Sequence, residues 1–228
     1  MKKAYEILKT ARENKQRTLS EYESKLILAE YGIPVVSETI VSSWDEARKS
    51  ASEIGYPVVL KVCSPEVTHK TEQKLIEINL RDERDLETAF KRLYEQAQNI
   101  KGEILVQKMI TGARELVIGL IRDPQFGPCV MFGLGGIFTE ILHDVSFRVA
   151  PFGMQDAMEI MEEIKAKSIL NAIRGMDAVD RNVLGKSLVA LGNIGLEHES
   201  VKEIDVNPMI VHGSKPVAVD ALVVLNDL

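Results

Sequence analysis

The chain has 228 residues, of which 45% are hydrophobic and 27% are charged, and its formal net charge is −6. This composition is typical of a folded globular protein and argues against disorder. The acidic balance, with only 5% aromatic residues, argues against nucleic-acid binding. No apolar run approaches the ~20 residues that cross a bilayer, so we expect no membrane segment and a cytoplasmic location. Cys63 and Cys129 stand alone, which favours neither a disulfide framework nor a cysteine-type zinc site.

Two amphipathic helices are predicted before the first buried strand. In the first, Ser20 and Glu23 form a capping box, and apolar residues recur with helical spacing until Gly32. The second begins in the same way at Ser43 and ends at Gly55. Both helices therefore have a sequence signal at each end.

The next elements alternate between strands and a helix. The apolar run 58–62 predicts a buried strand, and alternation over 76–80 predicts a second strand after the polar stretch 64–74. A helical pattern covers 86–97. From residue 104 strands dominate, at 104–109, 115–122, 128–132, 138–149, 202–211 and 216–225, with helices at 155–170 and 178–191.

The change near residue 103, from alternating helices and strands to mostly strands, predicts an α+β protein with two lobes. Residues 1–103 would form an N-terminal region and the first lobe, and residues 104–228 the second. A cleft between two such lobes is a natural place for a ligand.

Two basic residues stand out in the first half. Lys61 ends an apolar strand with apolar neighbours, so it either reaches water or binds an anion such as phosphate. His69 lies in a polar stretch, where a solvated surface histidine is the usual case. A nucleophilic imidazole is the alternative, because its ordinary pKa near ~6.5 leaves the neutral form available at neutral pH.

A glycine cluster at 133–136 separates two predicted strands. Its spacing matches neither the dinucleotide fingerprint nor the P-loop. A turn or bulge is the commoner role for such a cluster. Close approach of its backbone to a ligand is the alternative, with Thr139 and Glu140 just beyond.

A set of oxygen-bearing side chains lies near the C-terminus. Asp205 and Asn207 are two apart on a predicted strand, so their side chains share a face, and Asp220 lies on the last strand. Oxygen ligands without Cys or His suit magnesium rather than zinc. Turn-forming residues at a strand end are the alternative.

The register of the last hairpin follows from its loop. If residues 212–215 form a four-residue loop, Val211 pairs with Pro216, and paired positions sum to 427. Asn207 would then lie opposite Asp220, close enough to share a cation. Pro208 cannot donate to a ladder and therefore predicts an edge or a bulge.

Several stretches together resemble the β subunit of ADP-forming acetyl-CoA synthetase. They are Tyr22 to Pro34, Gly55 to Lys61, Ser64-Pro65 with His69-Lys70, and Gly119 to Phe152, the most specific part being Ile121 to Pro128 running into Met131 to Phe138. The resemblance covers nearly the whole chain. It also implies the ATP-grasp fold, with a nucleotide between two α+β lobes, and a more distant kinship with the β subunit of succinyl-CoA synthetase.

The resemblance implies the reversible reaction of acyl-CoA, ADP and phosphate to carboxylic acid, CoA and ATP. A CoA-binding α subunit would supply the phosphoryl group, in a heterotetramer of two α and two β subunits with Mg²⁺ as cofactor. His69 would relay that group to ADP, and Asp205 would steady the phosphohistidine. Asn207 and Asp220 would hold magnesium. The implied nucleotide-binding residues are Lys61, Glu115 and a hinge beside adenine formed by Val106, Gln107, Lys108 and Met109.

Two other functions stay open from the residues. A carboxylate–amine ligase of the same fold would form acyl phosphate directly on the nucleotide and would need no histidine, so His69 argues against it. The second is a non-catalytic nucleotide-sensing subunit. Its support is a departure from the family pattern: Gln73 and Lys74 stand where relatives carry two glycines after the His-Lys pair.

Overall fold

The computed structural model describes residues 2–65, 75–136 and 144–226. The helices are α1 (Lys2–Glu13), α2 (Glu21–Glu30), α3 (Trp44–Ile54), α4 (Glu83–Asn99), α5 (Met154–Glu163) and α6 (Arg181–Glu197), with a 3₁₀ helix at Lys167–Leu170. The first strands are β1 (Glu38–Val41), β2 (Val58–Cys63), β3 (Ile76–Leu80), β4 (Glu103–Lys108) and β5 (Glu115–Asp123). The others are β6 (Gly127–Leu134), β7 (Val145–Val149), β8 (Val201–His212), β9 (Lys215–Ala218) and β10 (Leu222–Leu225).

The chain forms two compact units. The small unit comprises Ser20–Tyr22 and Val36–Ile110, and the large unit comprises Met1–Leu19, Glu23–Val35 and Thr111–Leu228. The boundary predicted between residues 103 and 104 falls at the start of β4. The units divide later, at 110 and 111, because β4 pairs with β1 and β2 and so belongs to the small unit.

The small unit is an antiparallel sheet covered by two helices. Its strand order is β1-β4-β2-β3, and α3 and α4 pack on it. As predicted, Ser43 caps α3 by accepting a hydrogen bond from Glu46 N, and Gly55 ends it with φ +83°. The core of this unit joins one face of β2 and β4 to the apolar side of both helices, through Leu60, Val106 and Leu93 among others.

The large unit has its own antiparallel sheet and core. Its strand order is β10-β8-β5-β6-β7, with β9 also paired to β8, and α1, α5 and α6 contribute to the core. Helix α1 is absent from the sequence prediction. Its first turn has no acidic residue of its own. The Glu30 carboxylate of α2 accepts hydrogen bonds from Lys3 N and Ala4 N instead, so the N-terminal cap comes from a residue distant in sequence.

The helix predicted at 155–170 is shorter in the structure. Helix α5 ends at Glu163, because Ile164 is extended, with φ −67° and ψ 143°. The Asp144 carboxylate then accepts hydrogen bonds of 2.8 Å from Lys165 N and from Ala166 N. A distant acid therefore fixes the bend that separates α5 from the 3₁₀ helix.

The C-terminal hairpin keeps the predicted register with a shorter turn. His212 pairs with Lys215, so the turn has two residues, not four, and Gly213 occupies it with φ +61°. Val211 pairs with Pro216 as predicted. The strand predicted at 216–225 is interrupted, since β9 ends at Ala218 and β10 begins at Leu222.

Candidate functional site

Lys61 is buried and paired with an acid, contrary to the prediction of a lysine at a strand end among apolar neighbours. It is the fourth of six residues in β2, and its side chain is 4% exposed. Its Nζ lies 2.6 Å from Glu21 Oε1, and the Glu21 side chain is 0% exposed. A buried ammonium requires such a counter-charge. Because Glu21 lies 40 residues earlier, no local pattern indicated the pair.

The face of the small sheet that carries Lys61 is opposite the helices. Lys61 pairs with Leu105 and Val59 pairs with Gln107, so Lys61 and Gln107 share a face and are diagonal neighbours. Leu60 and Val106 point to the other face and belong to the core under α3 and α4. Lys61 and Gln107 are both 3% exposed and are buried polar residues on this face of β2 and β4.

The predicted hinge residues divide into two kinds. Val106 lies within a central strand, paired with Thr39 and Leu60, and its side chain is in the core. Lys108 is the last residue of β4, and its backbone N–H donates to Ser37 O at 2.9 Å. Met109 N donates to Pro57 O at 3.2 Å. The backbone is therefore held by hydrogen bonds to two different segments where it leaves the sheet.

In the large unit, a bulge in β8 sets the positions of Asp205 and Asn207. Ile118 pairs with Val206 but Leu116 pairs with Met209, so β8 has one extra residue at this point. The cis bond between Asn207 and Pro208 lies in the bulge, and the prediction of a bulge at the proline is confirmed. Both Val206 and Met209 remain in the core because the extra residue restores the alternation. Asp205 points to the opposite face.

Asn207 is fixed by the glycine cluster. Its Oδ1 accepts a hydrogen bond of 3.1 Å from Gly136 N. Gly136 has φ +61°, and a Cβ there would collide with Oε2 of Glu115. Gly135 N donates to Glu115 O at 2.9 Å. The cluster is thus a close backbone contact that joins β5, β6 and β8, and it places the amide of Asn207 and the carboxylate of Glu115 beside the same glycine.

Asp205 and Asp220 are electrostatic neighbours. Burial of Asp205, and then the charges of Glu203 and Asp220, raise the pKa of Asp205 from 3.8 to about 6. The β8–β9 pairs and the first three β8–β10 pairs, such as Met209 with Ala218 and Asp205 with Leu222, all sum to 427. The register that places Asn207 opposite Asp220 is therefore confirmed on both sides of Asp220.

The backbone at Asp220 leaves the ladder. Asp220 lies between β9 and β10, and its Oδ1 accepts a hydrogen bond of 2.9 Å from Ala221 N. Among the described residues no group of three or more His, Cys, Asp or Glu side chains is arranged to hold a metal ion. The candidate magnesium ligands are therefore one carboxylate, that of Asp220, and one amide, that of Asn207, with the Asp205 carboxylate nearby.

Three of the predicted site residues lie outside the described ranges: His69, Thr139 and Glu140. Glu21 and Gly136 are site residues that the sequence analysis did not assign. The cluster of glycines was a signal for Gly136, but its contact with Asn207 joins residues 71 positions apart.

Three comparisons with known proteins bear on this site. The family model of the ATP-grasp domain matches residues 10–225. The chain is 43% identical to the β subunit of acetate–CoA ligase [ADP-forming] I of Pyrococcus furiosus, covering 98% of each chain. It is 41% identical to acetate–CoA ligase [ADP-forming] I of Archaeoglobus fulgidus, and this match covers 99% of the present chain but only 33% of that relative.

A solved structure is similar over the same length. It is the acetyl-coenzyme A synthetase 1 of Ca. Korarchaeum cryptofilum in complex with coenzyme A and Mg-AMPPCP, with its phosphohistidine segment pointing towards the nucleotide binding site. The TM-score is 0.87 and the identity 42%, covering 98% of this chain and 100% of that one. Across the described ranges, none of the helices has the length and apolar character needed to cross a membrane.

Proposed function

The chain belongs to the ATP-grasp family and, within it, to the β subunits of ADP-forming acetate–CoA ligases, and on this premise we propose that it is the nucleotide-binding subunit of such a ligase. In the proposed reaction a phosphoryl group leaves a histidine nitrogen and joins the terminal phosphate oxygen of ADP, giving ATP. The reverse reaction phosphorylates the histidine from ATP. His69, in its His-Lys motif, is the proposed carrier.

The observation that carries the proposal is the set of oxygen donors at the β8 bulge. Asn207 Oδ1 is already oriented by Gly136 N, and Asp220 is oriented by Ala221 N. Amide and carboxylate oxygens suit Mg²⁺. We assign Asn207 and Asp220 to magnesium, which when bound neutralises charge on the nucleotide phosphates.

Asp205 is assigned to the phosphohistidine. With a pKa of about 6 it is largely ionised at neutral pH and accepts a hydrogen bond from an imidazole N–H. That bond fixes the orientation of the ring and favours the histidine nitrogen that carries the phosphoryl group. Protonation of Asp205 below pH 6 removes the negative charge that strengthens this hydrogen bond.

The small unit supplies all but one of the proposed nucleotide contacts. Lys61 is a buried cation held by Glu21 at 2.6 Å, and it is the proposed phosphate ligand. Its pairing fixes the ammonium in place before any anion arrives. Gln107 on the same face and the end of β4 at Lys108 and Met109 form the proposed adenine contact. Glu115, at the start of β5, is the remaining proposed nucleotide ligand.

A CoA-binding α subunit is the proposed partner. The Pyrococcus relative is named a β subunit, whereas the Archaeoglobus relative is about three times as long as the segment it shares with this chain. The match to a separate β subunit over nearly its full length supports a CoA-binding partner for the acyl–CoA half of the reaction. We propose a heterotetramer of two α and two β subunits.

The metal assignment is tested by calorimetry with ADP in the presence and absence of Mg²⁺. Asp220→Asn and Asn207→Ala should each weaken binding of the magnesium complex of ADP and leave binding of metal-free ADP nearly unchanged. Asp123→Asn is the control, since this aspartate accepts hydrogen bonds from Gln125 N and Phe126 N in the turn after β5. Equal magnesium dependence in all three variants and the unmodified protein would reject the assignment.

A further inference from the structure

Helix α2 holds the segment of the large unit that carries Asp220. This segment, Val219–Ala221, lies between β9 and β10, where the ladder with β8 is interrupted. Val219 N donates a hydrogen bond of 3.3 Å to Pro208 O of β8. The position of Asp220 therefore depends on whatever else binds this segment.

Two buried side chains of α2 bind the backbone on either side of Asp220, at Val219 in the segment and at Val223 in β10. Lys25 Nζ donates to Val219 O at 3.4 Å. Ser24 Oγ accepts from Val223 N at 3.1 Å. Ser24 is 0% exposed and Lys25 is 1% exposed. The carbonyl that Lys25 contacts belongs to the same peptide group as the N–H of Asp220, so the ammonium fixes the plane from which the Asp220 side chain leaves the backbone.

The burial of Lys25, which is 1% exposed, is unusual for a lysine. Lysine is among the residues least often buried, and removing its charge from water is costly unless the charge is paired. Methionine would fill a similar volume at no such cost. One contact of the Lys25 ammonium is with the backbone carbonyl next to Asp220. In metal sites, groups that orient the ligands in this way strongly affect affinity.

We infer that Lys25, together with Ser24, is a positioning residue that holds Asp220 in the orientation in which it binds magnesium. This inference rests on the proposed function, because it takes Asp220 as a magnesium ligand. Neither side chain contacts the nucleotide in this account. Both act on the metal through the backbone on either side of Asp220, Lys25 at Val219 and Ser24 at Val223.

The test compares Lys25→Met and Ser24→Ala with matched controls in the same unit. Arg122→Met removes another cation that donates to backbone carbonyls, those of Gly195, His198 and Val201. Ser187→Ala removes another buried hydroxyl, which donates to Val183 O within α6. Each protein is titrated with ADP, with and without Mg²⁺, in a calorimeter. Hydrogen exchange of the Asp220 and Ala221 amides is measured on the metal-free proteins.

Lys25→Met should weaken binding of the magnesium complex of ADP by roughly 10- to 100-fold, the range for groups that orient metal ligands, and leave metal-free ADP binding unchanged. Ser24→Ala should show a smaller loss in the same direction. Both should speed exchange of the two amides, and the controls should change neither property.

Two results would overturn the inference. The first is an unchanged magnesium dependence in Lys25→Met, while Asp220→Asn weakens it; the proposed metal site would then stand without Lys25. The second is equal weakening of ADP binding with and without Mg²⁺, which indicates general loss of structure. If Lys25→Met does not fold, Ser24→Ala decides, and unchanged magnesium dependence there rejects the inference. If Asp220→Asn itself has no effect, the proposed function fails at its metal site.

Discussion

Replacing Asp205 by asparagine should stabilise the metal-free protein at neutral pH, even though we expect it to abolish phosphoryl transfer. In the folded state burial and the neighbouring Glu203 and Asp220 raise the pKa of Asp205 from 3.8 to about 6. The fold therefore favours the protonated form. Its stabilising contribution is complete below the unfolded pKa and is lost as the pH rises through the folded pKa.

The magnitude follows from that shift of about two pKa units. One unit corresponds to about 1.4 kcal/mol, so ionisation of Asp205 should cost the fold about 2–3 kcal/mol between pH 4 and pH 7. Asparagine has nearly the same shape and no charge to ionise. The free energy of unfolding of Asp205→Asn, minus that of the unmodified protein, should therefore rise by this amount over the same pH range.

Urea denaturation in the presence of a chelator, at half-unit pH steps, measures this difference directly. The subtraction removes the opposite pH dependence of shared groups such as Glu163, whose pKa is lowered by its hydrogen bonds to Arg148 and Ser146. A difference that stays constant from pH 4 to pH 7 would refute the argument, because it would mean that Asp205 has an ordinary pKa in the folded state.

Two further predictions concern fixed geometry in each unit. Lys61→Met should destabilise the fold by about 3–5 kcal/mol, because it removes the buried ammonium that faces the Glu21 carboxylate at 2.6 Å. The double variant with Glu21→Gln should recover much of that loss in urea denaturation without recovering ATP affinity in calorimetry, and recovery of both would mean that Lys61 serves the fold alone. Gly136→Ala should weaken binding of the magnesium complex of ADP, since its Cβ would displace the Glu115 carboxylate. Gly127→Ala is the control, with φ +76° and no atom near the added Cβ, so equal effects on nucleotide binding in both variants would contradict the assignment.

Local patterns were sufficient to predict most elements of the fold. The capping residue of α3, the alternation of β3 and the apolar face of α4 are set by residues within one or two turns of each other. The hairpin register was also predictable, because it depends on the turn alone. Helix α1 was not, since the carboxylate that caps it belongs to α2.

The candidate site shows the same difference between features set by local sequence and features set by distant contacts. The prediction that Asp205 and Asn207 share a face rests on strand periodicity, which the β8 bulge at Asn207-Pro208 interrupts. The contacts that fix these residues join distant parts of the chain, as with Asn207 and Gly136 or Lys61 and Glu21. Periodicity and propensity depend on nearby residues and therefore cannot predict contacts between residues that are distant in sequence. The error at Lys61 arose in this way, because its counter-charge is not among its neighbours in sequence.

The central claim is that this chain carries a phosphoryl group on His69 between its partner and ADP. The most direct measurement uses ATP with an isotopic label in its γ phosphate, together with Mg²⁺ and the α subunit. Label on the protein is tested for acid lability and alkali stability, and the labelled peptide is identified by mass spectrometry. We expect label on His69, its loss on addition of ADP, and no label in His69→Ala. Full ATP synthesis from acyl-CoA, ADP and phosphate by the His69→Ala complex would contradict the claim.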